Sequence, residues 1–288
     1  MGHSHSHDGI DWDAKIAGLR ERDELLAPEA GELARDLLRA DDRTVVEIGS
    51  GAGGMSAAFA DALWDTGGAV VLVDSAPELL AAAERTARAA AGEDVLVRSV
   101  CTDAAEGDLR SVGQADLVFA SFAVHHLPDQ VAGLRRLAGL VRPGGRLAIV
   151  ESGLEPRVLP WDVGLGAPGL ENRLAAARAE WFREMRAEMP GAVRMPFGWS
   201  RALAEAGLER VLTWTQLIDR PAPLSGPALR VALDRLEWLR RGAEGRVGQD
   251  DLDALDALLD PQGPHYAGDR EDLHYLAANT VFVGTRPS

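Results

Sequence analysis

The chain has 288 residues, enough for one large or two small domains around a sizeable core. Its 30 Lys and Arg stand against 45 Asp and Glu, a formal charge of -15 with no dense run of Arg, which disfavours a nucleic-acid partner because neutralising phosphates takes a concentrated positive face. The single Cys101 excludes an internal disulfide, no apolar run nears the roughly 20 residues of a membrane span, and no secretory leader is visible, so the expectation is a cytoplasmic protein without a membrane partner.

Residues 1–9 form a tail in which His3, His5 and His7 alternate ahead of Asp8, a composition able to capture a divalent metal and equally that of a cloning remnant or a disordered end. No metal constellation is expected elsewhere; His265 and His274 are too isolated. Between 12 and 38, Ile16, Leu19, Leu33 and Leu37 recur at helical spacing, interrupted near Pro28, which predicts two amphipathic helices within 10–40. A regular alternation follows: strand 44–48, helix 57–63, strand 69–74, helix 77–91, strands 95–100 and 116–121, helix 129–140, strand 146–151. Short apolar strands alternating with helices predict a doubly wound, mostly parallel sheet covered on both faces. After Glu151 the rhythm changes to a long Arg- and Glu-rich helix at 171–189, a loop and short helix at 195–208, a strand at 209–218, helices at 226–242 and 249–259, and a closing strand at 280–286. The late helices read as a cap inserted near the C-terminus, and the charge alternation of 171–189 reads as a solvated face.

The stretch VVEIGSGAGGM, 45–55, carries the chemistry. Gly49, Gly51 and Gly54 fit G-x-G-x-x-G after a strand, and Asp74 lies where a dinucleotide fold keeps its ribose acid. Two residues before the first glycine, where a dinucleotide site is usually apolar, stands Glu47. A carboxylate there repels a pyrophosphate and suits a ligand with an ammonium and a sulfonium.

EIGSGAGG resembles the first motif of the class I S-adenosylmethionine-dependent methyltransferases, ADLVFASFAVHHLPD their fourth-strand motif, and LVRPGGRLAIVE the turn and fifth strand. These matches run in order through 43–151, and TVFVGTR resembles the reversed strand which that family inserts between its strands five and six; 155–278 is poorly covered. The resemblance implies a seven-stranded class I methyltransferase fold, with lid helices at 10–40, a cofactor-binding core at 41–154 and the remaining strands plus a substrate-binding cap at 155–288. It implies S-adenosylmethionine as cofactor, S-adenosylhomocysteine as product, and a small organic acceptor, with a specialised-metabolite scaffold in view and a homodimer left open. Gly49, Ser50, Gly51 and Gly53 then approach the methionine part; Glu47 either contacts the ammonium or anchors the loop. Asp74, with Ser75 beside it, holds the ribose, Asp103 and Ala104 read the adenine, and Ser121 and Phe122 border the sulfonium. His125, or else His126, is suited to take a proton from the acceptor, the alternative being a packed or capping histidine. Trp12, Trp161, Trp181, Phe197 and Trp199 either line an apolar pocket or fill the core. A cofactor-binding protein that steers a cyclisation and an NAD(P)-dependent oxidoreductase are the alternatives.

Overall fold

The structure is a computed structural model describing residues 9–288. The histidine tail therefore lies outside the described residues, Gly9 excepted. In chain order the elements are α1 (Trp12–Leu37), β1 (Thr44–Ile48), α2 (Gly54–Ala62), β2 (Gly68–Asp74), α3 (Pro77–Ala90), β3 (Val95–Cys101), β4 (Ala115–Ser121), a 3-10 turn (Val124–His126), α4 (Gln130–Leu140) and β5 (Val141–Arg157). There follow α5 (Leu170–Glu188), α6 (Trp199–Glu205), β6 (Glu209–Arg220), α7 (Gly226–Ala243), α8 (Gln249–Leu259) and β7 (Tyr275–Thr285). The chain divides into two compact units: 1–151 with 193–214 and 280–288, and 152–192 with 215–279.

The strands form one seven-stranded sheet in the order β3-β2-β1-β4-β5-β7-β6. β1 pairs in parallel with both β2 (Val45 opposite Val70) and β4 (Val45 opposite Leu117), so the winding reverses on either side of β1. That reversal opens a crevice at the carboxyl ends of β1 and β4, where ligands settle in open α/β sheets.

In the first unit, strand alternation sends Val45, Leu72, Leu117 and Phe119 to one face, where they pack with Leu33, Leu37 and Phe59; Phe59 and Phe119 meet edge to face at 5.1 Å. Val46, Ile48, Val118 and Ile149 fill the other face with Leu134, Leu137 and Leu203. By the same alternation Glu47 shares the face of Val45 and points toward α2. Phe197 and Trp199 pack partly buried on the second of these clusters, as core.

Three expectations need correcting. The two amphipathic helices before β1 are one helix, with Pro28 inside it. Proline removes a single backbone donor, whereas Leu25 on one side of it and Leu33, Ala34 and Leu37 on the other are all buried, and that burial holds the helix together. α2 starts at Gly54 instead of 57, because the glycines that look like loop include its first helical residue. β5 runs over 141–157 instead of 146–151, with residues 152–155 exposed and so without an apolar signal, and β7 begins at Tyr275 instead of 280.

In the second unit the long charged helix is not a plain solvated face. Glu171, Leu174 and Ala177 are buried, and Arg178 stacks on Trp181 at 3.6 Å and on Trp238 at 3.9 Å. Trp161 is 68% exposed, with the rim of its indole close against Gly169. Trp12 lies under the Lys15 ammonium at 5.1 Å. Among the described residues no helix is long and apolar enough to cross a membrane, and no group of three His, Cys, Asp or Glu is arranged to hold a metal ion.

Candidate cofactor and acceptor site

β1 ends at Ile48, and the chain must turn at once into α2. Gly49, Gly51 and Gly53 take φ of 73°, 54° and 96°, all in the left-handed region. Gly53 is doubly constrained, since a Cβ there would lie 2.7 Å from the Ala83 backbone of α3. The Gly49 and Ser50 amides donate to the Val73 carbonyl at 2.7 and 3.3 Å, tying the loop to β2. Ser50 is buried, and its Oγ has no hydrogen-bond partner.

Four acids surround this turn or the strand ends beside it. Asp74 accepts from the Gly51 amide (3.2 Å) on Oδ2 and from Ala76 (3.0 Å) on Oδ1, so both oxygens are oriented and each keeps a further lone pair. The Asp74 carbonyl in turn accepts from Thr102 at 3.0 Å, which brings the end of β3 alongside. Just past it, Asp103 Oδ1 accepts from Ala105 (2.6 Å) and Glu106 (3.3 Å), while the Ala104 carbonyl takes Arg136 Nε at 3.2 Å. Ser75 is exposed beside Asp74.

Glu47 is 3% exposed and receives a short hydrogen bond from Ser56 Oγ on α2. Of the two roles open to it, this geometry suits the loop anchor. Burial pushes its carboxyl up to about 8, opposed by the Ser56 bond and reinforced by the charges of Asp23 and Asp74. Asp23 was not legible in the sequence as part of the site. It projects from α1, and its Oδ2 accepts the Gly54 amide at 3.0 Å. The α2 N-cap, Gly53, has no side chain to cap the helix, so α1 supplies the missing acceptor from outside. A Cβ on Gly54 would fall 2.4 Å from the Asp23 carboxyl carbon, so the second glycine of the GG pair exists to admit Asp23. Burial raises Asp23 to about 6 despite the Gly54 bond and the nearby Arg22.

At the end of β4, Ser121 is half-buried, and Phe122 adopts φ of 52°, a strained conformation for a bulky residue. Its amide is held by the Val150 carbonyl (2.9 Å), and the Arg22 guanidinium of α1 lies 4.7 Å above its ring. The next turn carries His125, whose Nδ1 lies 2.7 Å from Glu151 Oε2 at the far end of the apolar run of β5. Oε1 of the same buried carboxylate accepts the His125 amide at 3.2 Å. His126 is exposed, its ring centroid 4.0 Å from that of His125. Glu151, the second acid the sequence did not single out, carries no local signal: it is one charged residue ending an apolar strand.

The structure thus gathers Glu47, the glycine turn, Asp74 and Asp23 around the start of α2, and His125 with Glu151 across the ends of β4 and β5. Asp103 and Ala104 sit one strand further along the same edge, joined to the rest through Thr102.

Residues 46–147 match the family model of a methyltransferase domain. Two curated relatives, both named trans-aconitate 2-methyltransferase, come from Methylobacterium nodulans (33% identical over 171 residues, 59% of this chain and 61% of the relative) and Methylobacterium radiotolerans (31% over 175 residues, 57% and 62%). The chain spans about three fifths of the length of these curated relatives. Among solved structures it is similar to Haemonchus contortus phosphoethanolamine N-methyltransferase 2 (TM-score 0.52, 16% identity, 95% of this chain and 58% of that one). It is also similar to an O-methyltransferase family protein of Burkholderia thailandensis (TM-score 0.51, 19% identity, 98% and 61%). At such identities the likeness speaks for the fold. With its sheet order, its glycine turn and the matched stretch, the chain carries, at residues 46–147, a methyltransferase domain of the class I fold.

Proposed function

We propose that the chain is an S-adenosylmethionine-dependent methyltransferase acting on a small organic acceptor. The observation that carries this is the turn after β1, where a buried Ser50 hydroxyl without a protein partner and an oriented Asp74 carboxylate flank glycines at the crevice of the sheet. Those residues fit the cofactor. The Gly49–Gly53 backbone and Ser50 line its methionine part, Asp74 accepts from the ribose hydroxyls, and Asp103 with the Ala104 amide meets the adenine. Ser121 and Phe122 border the sulfur. When bound, S-adenosylmethionine supplies a methyl group already activated on a sulfonium.

What remains for the protein is alignment and dryness: the acceptor atom must approach opposite the carbon-sulfur bond with water kept out. The strained Phe122, pinned by Val150 and covered by Arg22, is a rigid wall for that purpose. Where the acceptor carries a proton, His125 takes it at Nε2 while Glu151 holds Nδ1 and the backbone amide of the same residue. A carboxylate acceptor, of the kind that the relatives' name denotes, is already ionised and needs no base, so dependence on His125 separates protic from carboxylate acceptors.

In this reading the second unit, with its helices, supplies acceptor recognition, and α1 serves as the lid helix. A cytoplasmic setting and a specialised-metabolite acceptor belong to the same proposal; the exposed free thiol of Cys101 suits a reducing compartment. The test is incubation with S-adenosylmethionine and a panel of small acceptors. S-adenosylhomocysteine and an acceptor heavier by one methylene are expected to appear together; an altered acceptor without consumption of the cofactor would support the cyclisation alternative instead.

A further inference from the structure

The second unit holds an arginine group that the methyl-transfer reading does not use. Arg157 ends β5, Arg235 lies on α7, and Arg178 on α5 is sandwiched by Trp181 and Trp238. Arg235 is nearly buried, with 9% of its side chain exposed, and its guanidinium also stacks on Trp238 at 4.5 Å. Guanidinium groups do not shed their proton in proteins, so these charges must be met where they stand. They are not met. Nη1 of Arg157 and Nε of Arg235 are buried without a hydrogen-bond partner.

The carboxylates nearby do not close the gap. Glu171 is committed to backbone, accepting from Val158 at 3.1 Å on both oxygens and from Leu159 at 3.0 Å. Glu155, more than half exposed, reaches Arg235 Nη1 with one contact of 3.3 Å. Arg241, which adds positive charge near Arg178, is matched by Glu237 at 3.8 Å. Burial and the neighbouring Arg157 disfavour the charged form of Arg235, more than Glu155, Glu171 and Tyr275 support it. An anion arriving here would relieve an existing cost.

We propose that Arg157 and Arg235 form a binding site for the carboxylate of a small organic acid, displacing Glu155 from Arg235. A planar carboxylate can accept from two guanidinium groups at once, and the Trp238 indole packed at 4.5 Å on Arg235 holds that guanidinium in a largely buried position. With Glu155 displaced, the three arginines face only Glu171, so the preference for carboxylate over phosphate rests on the match of its planar oxygens to the guanidinium fork. The binding claim stands independently of the methyl-transfer reading.

Calorimetry of the full chain at constant ionic strength, with succinate, benzoate and inorganic phosphate as probes, tests it. A carboxylate is expected to bind, with affinity lowered about tenfold or more in Arg157→Met and Arg235→Met. In Glu155→Gln, an exposed and structurally mild change, affinity is expected to rise severalfold because the internal competitor is gone, an effect that a merely structural arginine cluster would not show. S-adenosylhomocysteine binding, measured on the same variants, is expected to be unchanged, which keeps this result separate from the cofactor reading. Absence of carboxylate binding to the parent chain, preference for phosphate, or weaker binding in Glu155→Gln would overturn the proposal.

Discussion

Single residues in this site work by being buried with the wrong partners or with too few. Glu47 shows the sign of the effect. Its carboxyl stands at 4.5 when unfolded and is pushed up to about 8 in the fold, so between those values the folded chain keeps a proton that the unfolded chain releases. Stability without ligand therefore falls as pH rises through that window, by up to about 1.4 kcal/mol per pH unit from this group. Glu47→Gln keeps the Ser56 partner and removes the titration. The stability difference between parent and variant, followed by urea unfolding from about pH 5 to about pH 8, is expected to shift steadily in the variant's favour; parallel curves would mean that Glu47 is not buried as described. Asp74 orients both of its oxygens at the crevice, and Asp74→Ala is expected to weaken S-adenosylhomocysteine binding at least about tenfold, about 1.4 kcal/mol. His125→Ala is expected to slow turnover of a protic acceptor about a hundredfold or more. If Glu151 acts only by holding that ring, adding Glu151→Gln to His125→Ala costs nothing further, whereas additive losses would give Glu151 a separate role.

Among the elements, α1 decides most about how the glycine turn is held. Periodicity located its apolar residues and proline punctuation divided it, but which tendency wins depends on what the helix packs against, and that is not local information. Its second function was equally hidden: Asp23 looks like one acid among many on a charged helix, and only the crossing of α1 over the start of α2 reveals that it caps the glycine turn. Asp23→Ala is expected to lower stability by about 1 kcal/mol, and Asp23→Asn, which keeps an acceptor oxygen, by clearly less. Equal losses in thermal unfolding would show that the negative charge at the α2 terminus, and not the hydrogen bond, is what matters. Strands β1 to β4 were legible to within a residue of their ends, since each is a short apolar run bounded by turn residues, and so was the glycine turn. His125 was in view as a candidate base while Glu151 was not, because their pairing joins the ends of two strands and exists only once the sheet is formed. The second unit was read least well. Its buried Glu171 and stacked Arg178 look in sequence like any other charged helical positions, and nothing short of the fold distinguishes a guanidinium between two indoles from one in water.

For the whole molecule, the winding order of the sheet sets what the crevice can hold. Reversal at β1, with β7 seated between β5 and β6, brings the glycine turn, Asp74 and the β4 end to one edge. The formal charge of -15 suits a cationic cofactor only weakly at physiological salt, where exposed charges are screened beyond about 8 Å, so local groups must carry recognition. The most direct measurement is calorimetry of the purified chain against S-adenosylmethionine, S-adenosylhomocysteine and NADH in parallel. Binding of the first two in the micromolar range with no heat from NADH is the predicted result; binding of NADH alone would contradict the account at its root.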